Sequence, residues 1–201
     1  MGKSSTARGR VAHGLMAAGA VAICCALVLF CYNVWVGWRA GERAHAVLDL
    51  LPEPAVTLDI SAIDPNAAMP AVDIDGTSYC GTLSLPELGL ELPIANACSS
   101  DQLAFTPCRY EGSVYADNLV IAGIDFDAHF GSLTGLNGGE EVVISDTLGN
   151  TALYYIDGIE ALQPTDLDRA VSGSDDADVD DLRLMVCGAD QKVRFVVYCS
   201  A

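Results

Sequence analysis

Histidine is scarce in this chain, and basic residues are scarce in most of it. Among 201 residues there are three histidines, His13, His45 and His129, so acid–base chemistry that depends on imidazole has few places to reside. Of the ten lysines and arginines, Lys3, Arg8, Arg10, Arg39 and Arg43 precede residue 44, which leaves five for residues 44–201. The same stretch holds 26 of the 27 carboxylates, a net of 5 − 26 = −21. Such a surface repels phosphate backbones and anionic headgroups, which excludes nucleic acid as a partner of this part; solubility accounts for most of the acid. Zinc-ligand spacings, a phosphate-binding glycine loop and a Gly-x-Ser-x-Gly turn are also missing, and no metal or cofactor is expected. There is no internal repeat and no Asn-x-Ser/Thr acceptor site.

What the N-terminus does have is a long apolar run. Residues 14–38, GLMAAGAVAICCALVLFCYNVWVGW, carry no charge, and about 20 such residues suffice for a helix to cross a bilayer. The sequence therefore predicts a cytoplasmic segment over 1–13 and a transmembrane signal-anchor helix over 14–38. Lys3, Arg8 and Arg10 before the run, with Tyr32, Trp35 and Trp38 at its far end, place the N-terminus in the cytoplasm and the rest outside, as a single-pass membrane protein. The small residues of AHA at 44–46 resemble a signal-peptide cleavage site, but a signal peptide's apolar core is about 7–15 residues, so an uncleaved anchor is favoured. The myristoylation-like start MGKSST is redundant beside a spanning helix.

Residues 39–78 read as a stalk or linker. Its stretch 51–76, LPEPAVTLDISAIDPNAAMPAVDIDG, has four prolines, five acids and no sustained period. From residue 79 to 201 the texture changes to short runs rich in Val, Ile, Leu, Tyr and Thr: GTLSLP and LELPI as a hairpin, then NLVIAG, EEVVIS, NTALYYIDGIEAL, LRLMVCG and KVRFVVYCS. Short helices are predicted only around HFGSLTGL and PTDLDRAV. This pattern predicts a mainly β domain, a closed barrel or a sandwich.

Cys24, Cys25 and Cys31 fall in the apolar run, and Cys80, Cys98, Cys108, Cys187 and Cys199 lie beyond it. An odd number in an oxidising compartment leaves one thiol over. Cys80 and Cys98 flank the first hairpin almost symmetrically, which predicts a disulfide between them, with Cys108–Cys199 as a weaker second pair. Cys187 is then the odd thiol. It ends a strand, meets Gly188 and precedes a strand carrying Arg194, a cation that could favour thiolate and bind an oxyanion. Asp125 and Asp190 would oppose it by raising the thiol's pKa. Asp176, Asp178 and Asp180 begin like a calcium loop, but the sixth position is Asp181 and the twelfth is Cys187, so it is no EF-hand; loose Ca²⁺ binding there is the weaker alternative.

The order GTLSLPELGLELPI, PCRYEGSVYADNLVIAG, HFGSL, then a strand ending in Cys187 and one carrying Arg194, resembles the sortase family. These are membrane-anchored cysteine transpeptidases of the Gram-positive cell surface. The resemblance spans roughly residues 79–201. It implies a closed eight-stranded β-barrel that receives a sorting peptide of the Leu-Pro-x-Thr-Gly type and an amine acceptor. It places Cys187 as nucleophile and Arg194 as oxyanion partner. The family's histidine, in an Ala-Gly-His-Asn stretch, has no counterpart, because Ala122 and Gly123 are followed by Ile124 and Asp125. The candidate substitutes are His129 and Asp125. General acid catalysis contributes typically about 10² to 10⁴ in rate, so the expected protein is a degenerate sortase that binds sorting-signal-like peptides or a surface partner; the alternative is an active transpeptidase with a substitute acid.

Overall fold

In a computed structural model the described residues are 5–51, 60, 63–172 and 181–201, and within the N-terminal helix the side chains from Met16 onward except those of 17, 33, 36–38 and 40. The chain divides into two compact units between Arg39 and Ala40.

The first unit is most of a long helix, α1 (Ser5–Leu48). Its apolar side chains Ile23, Val28, Leu29 and Phe30 are all more than 60 % exposed. Among the described residues, no helix is long and apolar enough to cross a membrane; the run 14–38 is not described in full, since seven of its side chains lie outside the described set.

The second unit is mainly β. Its strands are β1 (Val72–Ile74), β2 (Thr77–Leu85), β3 (Leu90–Ala95), β4 (Cys108–Glu111), β5 (Leu119–Ile124), β6 (Glu141–Asp146), β7 (Thr151–Ala161), β8 (Leu182–Cys187) and β9 (Val193–Ser200). They form one sheet in the order β1-β2-β3-β4-β5-β8-β9-β7-β6, and β6 also pairs with β2. The expected count of eight is thus corrected to nine. The additional strand is β1, three residues long, which lies in the segment read from sequence as a spacer. Ile60 and Met69 of that segment are buried in the core as well. Two short helices complete the unit, α2 (Ser100–Leu103) and α3 (Leu167–Ser172). HFGSLTGL forms a 3₁₀ turn over Gly131–Gly135.

Strands β5 and β8 are buried at every position and run parallel. That is why LVIAGI and LRLMVC read as nearly continuous apolar runs, whereas β6, with one face half-exposed, alternates. Side chains on a strand alternate in direction, and here they feed two apolar clusters. Leu119, Ile121, Leu182, Leu184 and Val186 enter one. Val120, Ala122, Ile124, Met185 and Cys187 enter the other, against which Val47, Leu51, Phe126, Leu162 and Val171 also pack.

The same alternation corrects both expected disulfides. Cys98 is bonded to Cys108, with Cα atoms 5.0 Å apart. Cys80 falls at a bulge, between the paired residues Tyr79↔Ala95 and Gly81↔Ile94, and its side chain enters the first cluster, where its Sγ donates to the Ile94 carbonyl oxygen. Meanwhile Ala95 pairs with Cys108, which brings β4 within three residues of Cys98. Cys108 and Cys199 belong to different clusters, so the second expected pair is ruled out too.

Candidate functional site

Cys187 is the last residue of β8, and its neighbour across the parallel ladder is Ile124, the last residue of β5. Paired residues in a parallel ladder project to the same face about 4.8 Å apart, so the sulfur and the isoleucine side chain stand side by side. Both are almost fully buried, at 3 % and 2 % exposure. Past the pair the backbone is fixed by the Asp125 N–H, which donates to the Cys187 carbonyl at 2.8 Å.

The chain after Ile124 folds back on the strand it has just left. The N–H groups of Phe126 and Phe130 both donate to the Ile124 carbonyl. The Phe130 ring lies so close over Gly123 that a Cβ there would sit 2.5 Å from it. Only glycine leaves room for that ring, which accounts for Gly123 in physical terms.

Gly188 donates to the Lys192 carbonyl and accepts from Gln191, so the chain reverses tightly into β9. The β8–β9 register slips between Val186 and Cys187, where Val186 pairs with Phe195 but Cys187 with Val193. This bulge carries Arg194. Its guanidinium crosses the residue after the thiol, since a Cβ on Gly188 would meet Arg194 Nε at 3.0 Å. Its charge is engaged elsewhere: Nη2 contacts both carboxylate oxygens of Asp190, at 3.0 and 2.9 Å.

The electrostatics follow from this geometry. Burial first, and the Asp190 carboxylate second, push the Cys187 thiol up to about 11, so the sulfur is a protonated thiol at neutral pH. The guanidinium of Arg194, the expected opposing charge, is held by Asp190. Asp190 is the functional residue that sequence reasoning underrated, and the signal was its place four residues before Arg194 across a tight turn.

Two residues were candidates for the missing acid, His129 and Asp125. His129 is fully buried, neither ring nitrogen makes a hydrogen bond, and its ring leans on Phe126 at a centroid distance of 6.2 Å. It is therefore not hydrogen-bonded to Cys187. Burial pulls its pKa down to about 4, with the nearby Phe105 carbonyl partly offsetting, so it is neutral at pH 7 and no proton donor in the imidazolium sense. Asp125 is exposed at the mouth of the loop. Asp176, Asp178 and Asp180 lie outside the described residues. Among the described residues, no three His, Cys, Asp or Glu side chains are placed to hold a metal ion.

A model of the sortase domain matches residues 83–201, 119 of the 201 positions. No curated protein matches the chain. Among solved structures, sortase C1 of Streptococcus agalactiae aligns at 23 % identity and a TM-score of 0.50, covering 64 % of this chain and 69 % of that one. Sortase E1 of Streptomyces coelicolor, solved with a tripeptide in its active site, aligns at 20 % identity and a TM-score of 0.51 over 61 % and 86 %. Sortase A of Corynebacterium diphtheriae, a lid mutant, aligns at 17 % identity and a TM-score of 0.50 over 85 % and 93 %. These likenesses describe a shared fold. With a domain match over more than half its length and a cysteine and an arginine brought to one end of the sheet, the chain belongs to the sortase family.

Proposed function

We propose that this protein is a degenerate sortase of the cell surface, with impaired or absent transpeptidation, that binds a sorting-signal-like peptide or a surface partner. The observation that carries the reading is the side-by-side burial of Ile124 and Cys187. Breaking an amide through sulfur needs a proton for the departing nitrogen; otherwise the tetrahedral intermediate returns to thiolate. Isoleucine has none to give, and His129 makes no hydrogen bond to the sulfur. The thiol is also protonated at neutral pH, with a pKa of about 11, so the attack itself is slow. The tripeptide in the active site of the Streptomyces sortase E1 is the class of ligand this reading expects. The competing reading, an active transpeptidase, is favoured by one observation: Arg194 lies against Gly188, next to the nucleophile.

The full-length chain in detergent, given a Leu-Pro-x-Thr-Gly peptide and an amine acceptor, separates the two. Peptide binding with no mass added to Cys187 is the expected outcome. An acyl-enzyme or a transfer product would establish the active reading. The anchor belongs to the same proposal: the exposed apolar side chains of α1, preceded by Lys3, Arg8 and Arg10, suit a single membrane pass with the β domain outside. Release of the protein by alkaline carbonate washing would sink that part.

A further inference from the structure

The sheet is most thinly paired where its one disulfide sits. β3 and β4 share a single paired position, Ala95↔Cys108, whereas β5 and β8 share six. The Cys98–Cys108 bond closes the connection between β3 and β4 at this seam. Besides that bond, the Ala95 N–H donates to the Pro107 carbonyl at 2.9 Å and the Thr106 hydroxyl to the Pro93 carbonyl at 2.7 Å. A cross-link on such a loop removes open conformations that the free chain would visit.

The closed loop, residues 98–108, reaches the surroundings of Cys187 by three routes. The Ser100 carbonyl accepts from the Gln191 side chain at 2.9 Å, which ties α2 to the turn that follows the thiol. Leu103 and Cys108 belong to the apolar cluster that holds Ile124 and Cys187, and Cys98 packs against it. The Phe105 ring carries the Arg43 guanidinium at 4.4 Å, and just beyond Arg43 the side chains of Val47 and Leu51 pack on that same cluster. One loop thus braces the turn, the cluster and the end of α1 together.

Without the cross-link the loop has little to hold it. Asp101 and Phe105 are exposed, and of α2 only Leu103 is buried. Segments with few buried apolar contacts open locally at low cost, while the rest of a domain stays folded. The sulfurs also differ in access: Cys98 is half-buried and Cys108 fully buried, so a reductant meets Cys98 first.

We propose that the Cys98–Cys108 disulfide is a redox switch for access to Cys187: oxidised, it holds the 98–108 loop against the thiol's surroundings, and reduced, it lets the loop open and the thiol meet solvent. The reductant is a dithiol. One of its thiolates attacks the Cys98 sulfur, and the Cys108 sulfur leaves and takes a proton. Its second thiol then closes on the mixed disulfide and frees Cys98, so two electrons and two protons pass to the protein and the dithiol departs as its own disulfide. The switch goes beyond the proposed function and needs neither a peptide nor transpeptidation.

The test is iodoacetamide alkylation of the full-length chain in detergent, before and after treatment with dithiothreitol and its removal, with each cysteine read separately by peptide mass mapping. Reduction should speed labelling of Cys187 about 10-fold, and reoxidation should restore the slow rate. Cys80 and Cys199, fully buried in the other cluster, should stay protected throughout. The double change Cys98→Ser with Cys108→Ser should label Cys187 at the fast rate with no reductant and gain nothing from dithiothreitol. An unchanged Cys187 rate on reduction overturns the proposal, and this arm stands even where the double variant does not fold. Labelling of Cys80 and Cys199 in step with Cys187 overturns it too, because the bond would then be a staple of the whole domain. So does a folded double variant that still responds to dithiothreitol. No outcome involves peptide transfer, so failure of the switch and failure of the degenerate-sortase reading are distinguishable.

Discussion

The two ends of the parallel pair β5 and β8 place different chemistry on one scaffold. At the Ile124–Cys187 end the side chains are apolar and nearly sealed, at 2 % and 3 % exposure, and the one nucleophile is a protonated thiol. At the opposite end Asp117 lines a cavity together with Tyr154, whose buried hydroxyl has no hydrogen-bond partner. The backbone ladder is continuous between them, so the difference lies in which residues the two ends receive. Reactivity at a strand end depends on what stands next to the group as much as on the group itself.

The sharpest way to break this comparison is to make the sealed end acid–base competent. Ile124→His puts an imidazole on the position paired with Cys187, where it could protonate a leaving amine. Transfer of a Leu-Pro-x-Thr-Gly peptide to an amine should rise at least about 100-fold over the unaltered chain, and Cys187→Ala in that background should abolish it. An unchanged rate would mean that the burial of the thiol, and not the missing proton donor, limits this end.

A second effect comes from the imidazole the chain does have. The pKa of His129 falls from an ordinary 6.5 to about 4 on folding, so the unfolded chain binds the extra proton in that window. Stability from this group is fully present above pH 6.5 and drains away as pH falls towards 4, by about 3 kcal/mol in all. His129→Leu should flatten that part of the stability–pH curve measured by urea unfolding. If the slope persists in the variant, other groups carry it and His129 is not buried in its neutral form.

Close packing at the sealed end can be probed at Gly123. A Cβ there would sit 2.5 Å from the Phe130 ring, so Gly123→Ala should destabilise the domain by about 1–3 kcal/mol through overpacking. Equal stability would show that the ring yields easily and the end is looser than its burial indicates.

Much of this was legible in the sequence where one force dominates. The apolar runs of β5 and β8 announce strands buried on both faces, and the β-branched texture of β6, β7 and β9 announces the rest of the sheet. The placement of Cys187 and Arg194 near each other follows from a strand, a short turn and the next strand. What was not legible depends on register. β1 is three residues inside a proline-rich acidic stretch, held by pairing with β2 and not by propensity. The disulfide went to Cys98 and Cys108 because a bulge at Cys80 and the Ala95–Cys108 pairing decide which sulfurs meet. The capture of Arg194 by Asp190 is a matter of side-chain geometry in one turn. Tyr154 reads as an ordinary strand tyrosine until its hydroxyl is seen to lack a partner.

The smallest expected effect concerns that capture. Asp190 raises the Cys187 pKa directly and also holds the guanidinium that could lower it. Both side chains of the pair are more than a third exposed, at 39 % and 45 %, so solvent screens the interaction and the change should be modest. With a thiol pKa of about 11, roughly one sulfur in a thousand is thiolate at pH 8. Asp190→Asn should raise the iodoacetamide alkylation rate of Cys187 about 2- to 5-fold at that pH. The double change Asp190→Asn with Arg194→Gln then divides the two causes. A gain that survives belongs to the removed carboxylate, which is the expected result because Asp190 acts on the thiol directly. A gain that disappears belongs to the released guanidinium, and would mean that the sealed end keeps its arginine in reserve behind one aspartate.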